Sequence, residues 1–456
     1  MEIILPEEVY SVISKFQQAG FQIYIVGGVV RDLLLKRPGK DWDFTTDAKP
    51  EEILKLFPEG VYGNRFGTVV IPRKGEIYDK DRGLSLYDIT TMRKEGKYID
   101  SRHPSEVSWT NKIEDDLSRR DFTVNALALE IKEGKKPVII DLYNGQADLE
   151  KKLVRCVGEA DVRFQEDALR LMRAIRFSAQ LNFRIEEETL KSIERNSALI
   201  KNISWERIRD ELFKILASDN YYEGIIFLKE TGLLQYILPE VTKCFGIVQE
   251  GPKHDRVYDI GEHLLLSLKF CPSKDPLVRF ACLVHDIGKL DTFRKDERGN
   301  VTFYGHETVG ARLVKETGKR LRLSSKQIDK LYSLVRWHMF TVSEHQTDSA
   351  VRRFIRNVGL ENIEDMMAVR VGDRLGGGTQ TETSWRMEEF KKRIEEVMQK
   401  PFSISDLKIT GSDIMEILQI KPGPKVGEVL NKLFQEVLED AEKNNKEYLL
   451  KRVKEF

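Results

Sequence analysis

The sequence predicts an α+β protein, with a head on a small mixed β-sheet followed by an all-α neck, body and tail. Three observations predict this. Short β-branched apolar runs bounded by turn residues are confined to the first 150 residues. Beyond them, apolar residues recur at helical spacing. At 456 residues the chain is also too long for one core, so about two to four domains are expected.

The elements follow in order. PEEVYSVISKFQQAG has helical periodicity and a closing glycine, FQIYIVGG is a short buried-strand run, and VVRDLLLK restarts a helix. DWDFTT, TVVIP, SLYDITTMR and PVIIDLY read as the strands of the sheet. From residue 151, DALRLMRAIRFSAQL, EEETLKSIERNSALI and WERIRDELFKILAS are amphipathic helices. The expected divisions are a head over 1–150, a neck over 151–220, a body over 221–380 and a tail over 381–456.

Composition narrows the class. With 41% hydrophobic and 32% charged residues, the chain reads as soluble and globular, and no apolar run approaches a membrane span. The segment MEIILPEEVY lacks the basic start of a signal peptide. Cys156, Cys244, Cys271 and Cys282 form no CxxC pair, which suits a reducing cytoplasm and argues against a zinc ribbon. Basic and acidic residues balance at 74 each, so a polyanion must be held by local patches.

The stretch IVGGVVRDLLLKRPGKDWDF at residues 25–44 combines three features. Gly27-Gly28, at a strand-to-helix turn, lets a bulky anion approach backbone N–H groups, although a tight turn alone also explains it. Asp41 and Asp43 lie one residue apart in strand context, so both carboxylates face one side. Hard oxygen ligands held this close suit Mg²⁺, which takes one or two carboxylates plus substrate phosphates. Two-metal phosphoryl chemistry calls for a third carboxylate. Asp88 in LSLYDITTMR leads, with Asp115 and Asp116 as alternatives.

GGVVRDLLL…KDWDFTT resembles the signature of class II tRNA nucleotidyltransferases, the CCA-adding enzymes and their bacterial poly(A) polymerase relatives. The resemblance continues in order through YGNRFGTVVI, YDITTMRKEGKY, LSRRDFTVNALAL, RFQEDALRLMRAIRFSAQL and SWERIRDEL. It implies template-independent addition of CCA to the tRNA 3′ end from CTP and ATP, with Mg²⁺ at Asp41 and Asp43. It also implies that Gly27, Gly28, Arg31, Arg119 and Arg120 bind the nucleotide, with Asp121 and Asn125 near its sugar. A guanidinium fork matches triphosphate oxygens, while surface pairing of Arg119 and Arg120 with Asp115, Asp116 or Asp121 is the simpler alternative.

In EDALR, Asp167 and Arg170 stand three apart, which on a helix is one face and ordinarily an ion pair. Under the resemblance they read the base. Cytosine and adenine each present an amino donor beside a ring-nitrogen acceptor, which a carboxylate and a guanidinium match. Guanine and uracil present the reverse, at about 1–3 kcal/mol per mispaired buried group. Arg173, Arg176 and Arg184 follow as a phosphate track or as helical salt bridges. The segment 90–112 corresponds to the family's flexible loop, tied to the final A.

VHDIGK supplies His285-Asp286, flanked by His263, His306, His338 and Asp373. This ordered set resembles the HD domain of metal-dependent phosphohydrolases, and its imidazoles suit a divalent transition metal. The domain is either an accessory phosphohydrolase or structural. The tail is expected to bind tRNA. Rival readings are a CC-adding or A-adding enzyme, a poly(A) polymerase, and an HD phosphohydrolase with a nucleotide-sensing head.

Overall fold

The computed structural model describes residues 5–39, 41–64, 67–72, 86–96, 106–132, 134–249, 258–297, 299–340, 347–382, 384–398 and 404–456. Of the segment matched to the flexible loop, residues 97–105 lie outside the described residues, as do Arg65 and Phe66 of YGNRFGTVVI. The chain divides into two compact units, Met1–Pro239 and Glu240–Phe456.

Among the described residues, the main sheet of the first unit has seven strands, β1 (Ile23–Val26), β2 (Trp42–Thr46), β3 (Val61–Asn64), β4 (Thr68–Pro72), β5 (Leu86–Thr91), β6 (Leu127–Glu130) and β7 (Val138–Asp141). They form one sheet in the order β3-β4-β5-β2-β1-β6-β7. It is mixed, as predicted, since β2 and β5 run parallel while the flanking pairs are antiparallel. The parallel register sets Asp43 directly beside Asp88. Both faces of the central strands are covered, and Ile25, Phe44, Ile89 and Leu127 are buried.

The neck helices Ala160–Glu166 and Leu169–Leu181 do not join. Asp167 between them is extended, at φ −140° and ψ 104°. Asp167 and Arg170 therefore do not share one helical face, contrary to the sequence expectation. The helix Tyr221–Glu230 packs on the neck through Gly224, where a Cβ would come within 2.5 Å of Ile215 and 3.3 Å of Ala179. That close approach carries the first unit past residue 220 to Pro239.

The second unit is helical. Ile260–Lys269 and Ile363–Gly376 meet closely at Gly372 and Gly376, where a Cβ would strike Ser267 at 2.6 and 2.4 Å. The helices Gly411–Leu418, Pro424–Glu439 and Lys446–Val453 share their own apolar core around Leu433, Val437 and Leu449. No helix among the described residues is long and apolar enough to cross a membrane.

Candidate functional site

A cavity of about 1320 Å³ opens in the first unit. Ligand pockets typically span about 300–1,000 Å³, so this one has room for a nucleoside triphosphate and part of a second molecule. Most of the head and neck residues singled out in the sequence line it: Gly27, Gly28, Arg31, Asp41, Asp43, Asp88, Arg119, Arg120, Asp121, Asn125, Asp167, Arg170 and Arg173.

The carboxylates come from the sheet. Asp43 on β2 and Asp88 on β5 are register partners, and Asp41 immediately precedes β2. Burial pushes the Asp43 carboxyl up to about 6; Arg120 opposes this, while the charges of Asp88 and Asp41 add to it. The Asp88 carboxyl is also raised, by loss of solvent and by Asp41. Uncompensated like charge of this kind is what a divalent cation relieves. Asp115 is bonded to Thr110, and buried Asp116 pairs with both Arg119 and Arg120. Neither alternative lines the cavity, whereas Asp88 does.

Asp116 positions the two arginines. Arg119 donates to its Oδ1 through Nε (3.0 Å) and Nη2 (2.6 Å), and Arg120 Nη2 donates to its Oδ2 (3.1 Å). The pairing considered for the surface therefore exists, but it is buried at the acid and lies at the cavity wall. Gly27, at φ 77°, leaves room for Arg120: a Cβ there would lie 2.9 Å from its Nη1.

A polar lattice ties head to neck. Arg31 donates to Asp32 and to Asn125 Oδ1 (2.7 Å), and Asn125 donates to Asp121 Oδ1 (3.2 Å). Asp121 Oδ2 accepts from Arg173 Nε (2.7 Å). Burial alone would raise the Asp121 carboxyl, but the Arg173 and Arg170 charges hold it down to about 2. Asp121 and Asn125 thus act in this structure as the hinge pins of the lattice. Of the remaining neck arginines, Arg176 lines the cavity and pairs with Glu211, whereas Arg184 is exposed and outside it.

The base-reading pair expected from EDALR is rearranged. Asp167 accepts from Arg207 Nη2 (2.8 Å) and Nη1 (3.3 Å). Arg170 pairs with Glu166 (2.5 Å) and donates to the Arg119 carbonyl (2.9 Å). Both still line one cavity, but each is held by a partner that the sequence reading did not assign. Arg207 sits in SWERIRDEL, so the motif was visible although this role was not.

The second unit gathers all six residues of the histidine motif. His263, His285, Asp286 and Asp373 form one group with donor atoms within 4.8 Å of one another, and Asp286, His306 and His338 form another. They sit on or at the ends of five helices, with His285 closing Pro276–Val284, His306 opening His306–Arg320 and His338 closing Ser325–Trp337. Nδ1 of His285, His306 and His338 each lies 2.7–2.9 Å from a backbone carbonyl, which leaves Nε2 as the ligand atom. Burial alone would lower the His285 pKa, yet Asp286 and Asp373 push it up to about 10, a field that favours a cation. Gly288 in VHDIGK lets this turn close on the next helix, where a Cβ would strike the His306 carbonyl at 2.1 Å.

Three families match in chain order. Residues 23–155 match the Poly A polymerase head domain, 182–245 the probable RNA and SrmB-binding site of polymerase A, and 309–453 the putative tRNA nucleotidyltransferase domain 2. Fold and site together define a nucleotidyltransferase with an RNA-directed helical extension. A CCA-adding enzyme of Pediococcus pentosaceus is 32% identical over 98% of this chain and 97% of its own. The match to a CCA-adding enzyme of Geobacillus thermodenitrificans reaches 42% identity but covers 51% of this chain, which there spans about half (54%) of that relative's length. The Bacillus stearothermophilus CCA-adding enzyme, solved in complex with CTP, superposes with a TM-score of 0.69 at 26% identity, covering 99% of this chain and 98% of that one. The chain belongs to the CCA-adding tRNA nucleotidyltransferase family.

Proposed function

We propose that this chain adds CCA to the 3′ end of tRNA, taking CTP and ATP without a nucleic-acid template. The observation that carries this reading is the convergence of three carboxylates, two arginines on a shared acid, and the Asp167 and Arg170 side chains on one cavity. Asp41, Asp43 and Asp88 would hold Mg²⁺, which supplies charge neutralisation at the α-phosphate and a more acidic 3′-hydroxyl. Arg119 and Arg120 grip the triphosphate. Asp167 accepts from the exocyclic amino group of C or A, and Arg170 donates to the ring nitrogen. Arg31, Asp121, Asn125 and Arg173 fix the distance between phosphate grip and base reader.

In this reading the head spans 1–150 and the neck 151–220, while the helices beyond residue 381 bind tRNA. The His263, His285, Asp286, His306, His338 and Asp373 cluster would hold a divalent transition metal and serve an accessory phosphohydrolase. Four free, buried cysteines fit a cytoplasmic setting. A sensor head on a phosphohydrolase would not need three carboxylates around one cavity.

The decisive assay offers CTP, ATP, GTP and UTP, singly and together, on tRNAs trimmed by one, two or three nucleotides. CTP should extend the ends lacking C, and ATP should complete the end lacking only A. Incorporation of A alone or C alone on all three substrates would overturn CCA addition in favour of a specialised enzyme.

A further inference from the structure

We infer that Arg163 is a positioning residue of the nucleotide site, bracing the base reader Arg170 against the head helix that carries the triphosphate grip. The inference rests on the reading that Arg170 reads the base. It adds a residue, outside the cavity, that decides where the reader points.

The break at Asp167 creates the need for a brace. Asp167 is extended, so no continuous helical ladder fixes the short helix Ala160–Glu166 relative to the helix Leu169–Leu181. Arg163 stands on the first and Arg170 near the start of the second. Two bonds span the break. Arg170 Nη1 donates to the Arg163 carbonyl (3.1 Å) and to Glu166 Oε2 (2.5 Å). Glu166 Oε1 in turn takes Arg163 Nη2 at 3.2 Å. One carboxylate therefore serves both arginines, a separate oxygen for each, and offsets the repulsion between two neighbouring cations.

The same two arginines reach the head. Arg163 Nη1 donates to the Ser118 carbonyl (3.0 Å) and Arg170 Nη2 to the Arg119 carbonyl (2.9 Å). These consecutive carbonyls close the helix Ile113–Ser118, at the end where C=O groups lack helical partners and carry partial negative charge. Asp116 of that helix holds Arg119 and Arg120. The distance from triphosphate to base is thus set by bonds to two neighbouring carbonyls, cross-linked through Glu166. A bond from Arg170 alone would let its guanidinium pivot about the Arg119 carbonyl. The bond from Arg163 removes that freedom.

An i,i+3 ion pair on a helix surface is the simpler account of Arg163 and Glu166, and exposed pairs contribute little. Two observations oppose it. Each side chain is only 18% exposed. Arg163 Nε is buried with no hydrogen-bond partner, a cost that a solvated pair avoids. Neither residue is among those lining the cavity, so both act through Arg170. Asp167 and Arg170 are then each aimed by a partner of opposite charge, Arg207 for the acid and Glu166, steadied by Arg163, for the arginine. An aimed guanidinium meets the ring-nitrogen acceptor of cytosine or adenine and finds an N–H on uracil or guanine. A loose one can swing to a carbonyl oxygen instead.

Nucleotide choice tests the inference. The full chain and its Arg163→Met variant, which keeps most of the side-chain volume, are given tRNA trimmed by three nucleotides with CTP or UTP. Each is also given tRNA lacking only A, with ATP or GTP. Arg163→Met should lower the preference for C over U and for A over G, in kcat/KM, by about tenfold, the scale of one misplaced hydrogen bond. Inhibition by inorganic tripolyphosphate, which probes the grip without a base, should stay at the parent's value. Arg163→Lys should recover part of the preference, because an ammonium lacks the planar fork that serves carbonyl and carboxylate together. Arg170→Met, run alongside, separates the brace from the reading beneath it. Relaxed choice in Arg170→Met but not in Arg163→Met overturns the brace alone. Unchanged choice in Arg170→Met overturns base reading and the brace with it. An equal fall for all four nucleotides, with weaker tripolyphosphate inhibition, makes Arg163 merely structural and overturns the inference. Should Arg163→Met unfold, Glu166→Gln, which keeps the shape of the brace and removes its charge, decides between the same outcomes.

Discussion

The head cavity and the histidine cluster both gather acceptors for divalent cations, and they do so in opposite ways. In the head, the acids stand on and beside neighbouring strands and face an open cavity. Among the described residues, groups of three acids or histidines with donors within 4.8 Å occur only in the histidine cluster, so the head acids stand farther apart. Under the proposed function, substrate phosphates would complete their site, the usual habit of Mg²⁺. In the cluster, the imidazoles are fixed by backbone carbonyls and Asp286 is also bonded by Lys289 (2.6 Å). That site stands ready before any substrate arrives. Wide, open acids suit an ion that travels with a nucleotide, and closed imidazoles suit a resident one.

The largest effect should come from separating the two sites. Asp41→Ala with Asp43→Ala should lower nucleotide addition at least ~10²–10³-fold, the scale of losing one preorganised electrostatic stabiliser. The metal content of the histidine cluster should not change. Conversely, His285→Ala should abolish any metal-stimulated phosphatase activity and leave addition to tRNA intact. Incorporation of labelled CTP and release of phosphate, read on the same preparations, check both halves. Cross-talk in either direction would show that the sites are not independent.

A smaller effect is expected where the head substitutes ion pairs for metal-type rigidity. The folded Asp121 carboxyl stands at about 2, below its ordinary 3.8. A depressed acid contributes stability above the ordinary value and loses it as pH falls through about 2. Asp121→Asn should therefore cost about 2–3 kcal/mol at neutral pH. Denaturant unfolding of parent and variant should converge as the pH drops from about 4 toward 2. A cost that stays constant over this range would mean that packing, not charge, makes Asp121 valuable.

Much of this was legible because the chemistry sits in local spacing. Asp41 and Asp43 one residue apart, Gly27 before a helix, and six clustered histidines and aspartates in a chain with seven histidines all signal themselves along the sequence. The sheet was legible for the same reason, except the edge strand β3, which the strand runs left out, and β6. Its LALE is rich in good helix formers, and only burial between β1 and β7 makes it a strand. What the sequence hid were partnerships across distance. Asp116 gathering two arginines looks like one more acid in a charged turn. The break at Asp167 is invisible because the helical periodicity runs through it, and Arg207 lies forty residues from the acid it holds.

The smallest effect, and the sharpest one, concerns that arginine. If Asp167 reads the base, something must keep it aimed, and Arg207 does so with a two-pronged bond at 2.8 and 3.3 Å. Arg207→Ala should leave Asp167 free to turn toward other donors. Discrimination against GTP and UTP should fall by the equivalent of about 1–3 kcal/mol, roughly 5- to 150-fold in relative kcat/KM. Metal binding and tRNA affinity should hold. Arg207→Lys should rescue only in part, since an ammonium cannot match both carboxylate oxygens. A merely structural arginine would lower kcat for every nucleotide alike. A fall confined to the choice between bases identifies Arg207 as the residue that points the reader, and places selectivity in a neck whose two halves are stitched together across the Asp167 break.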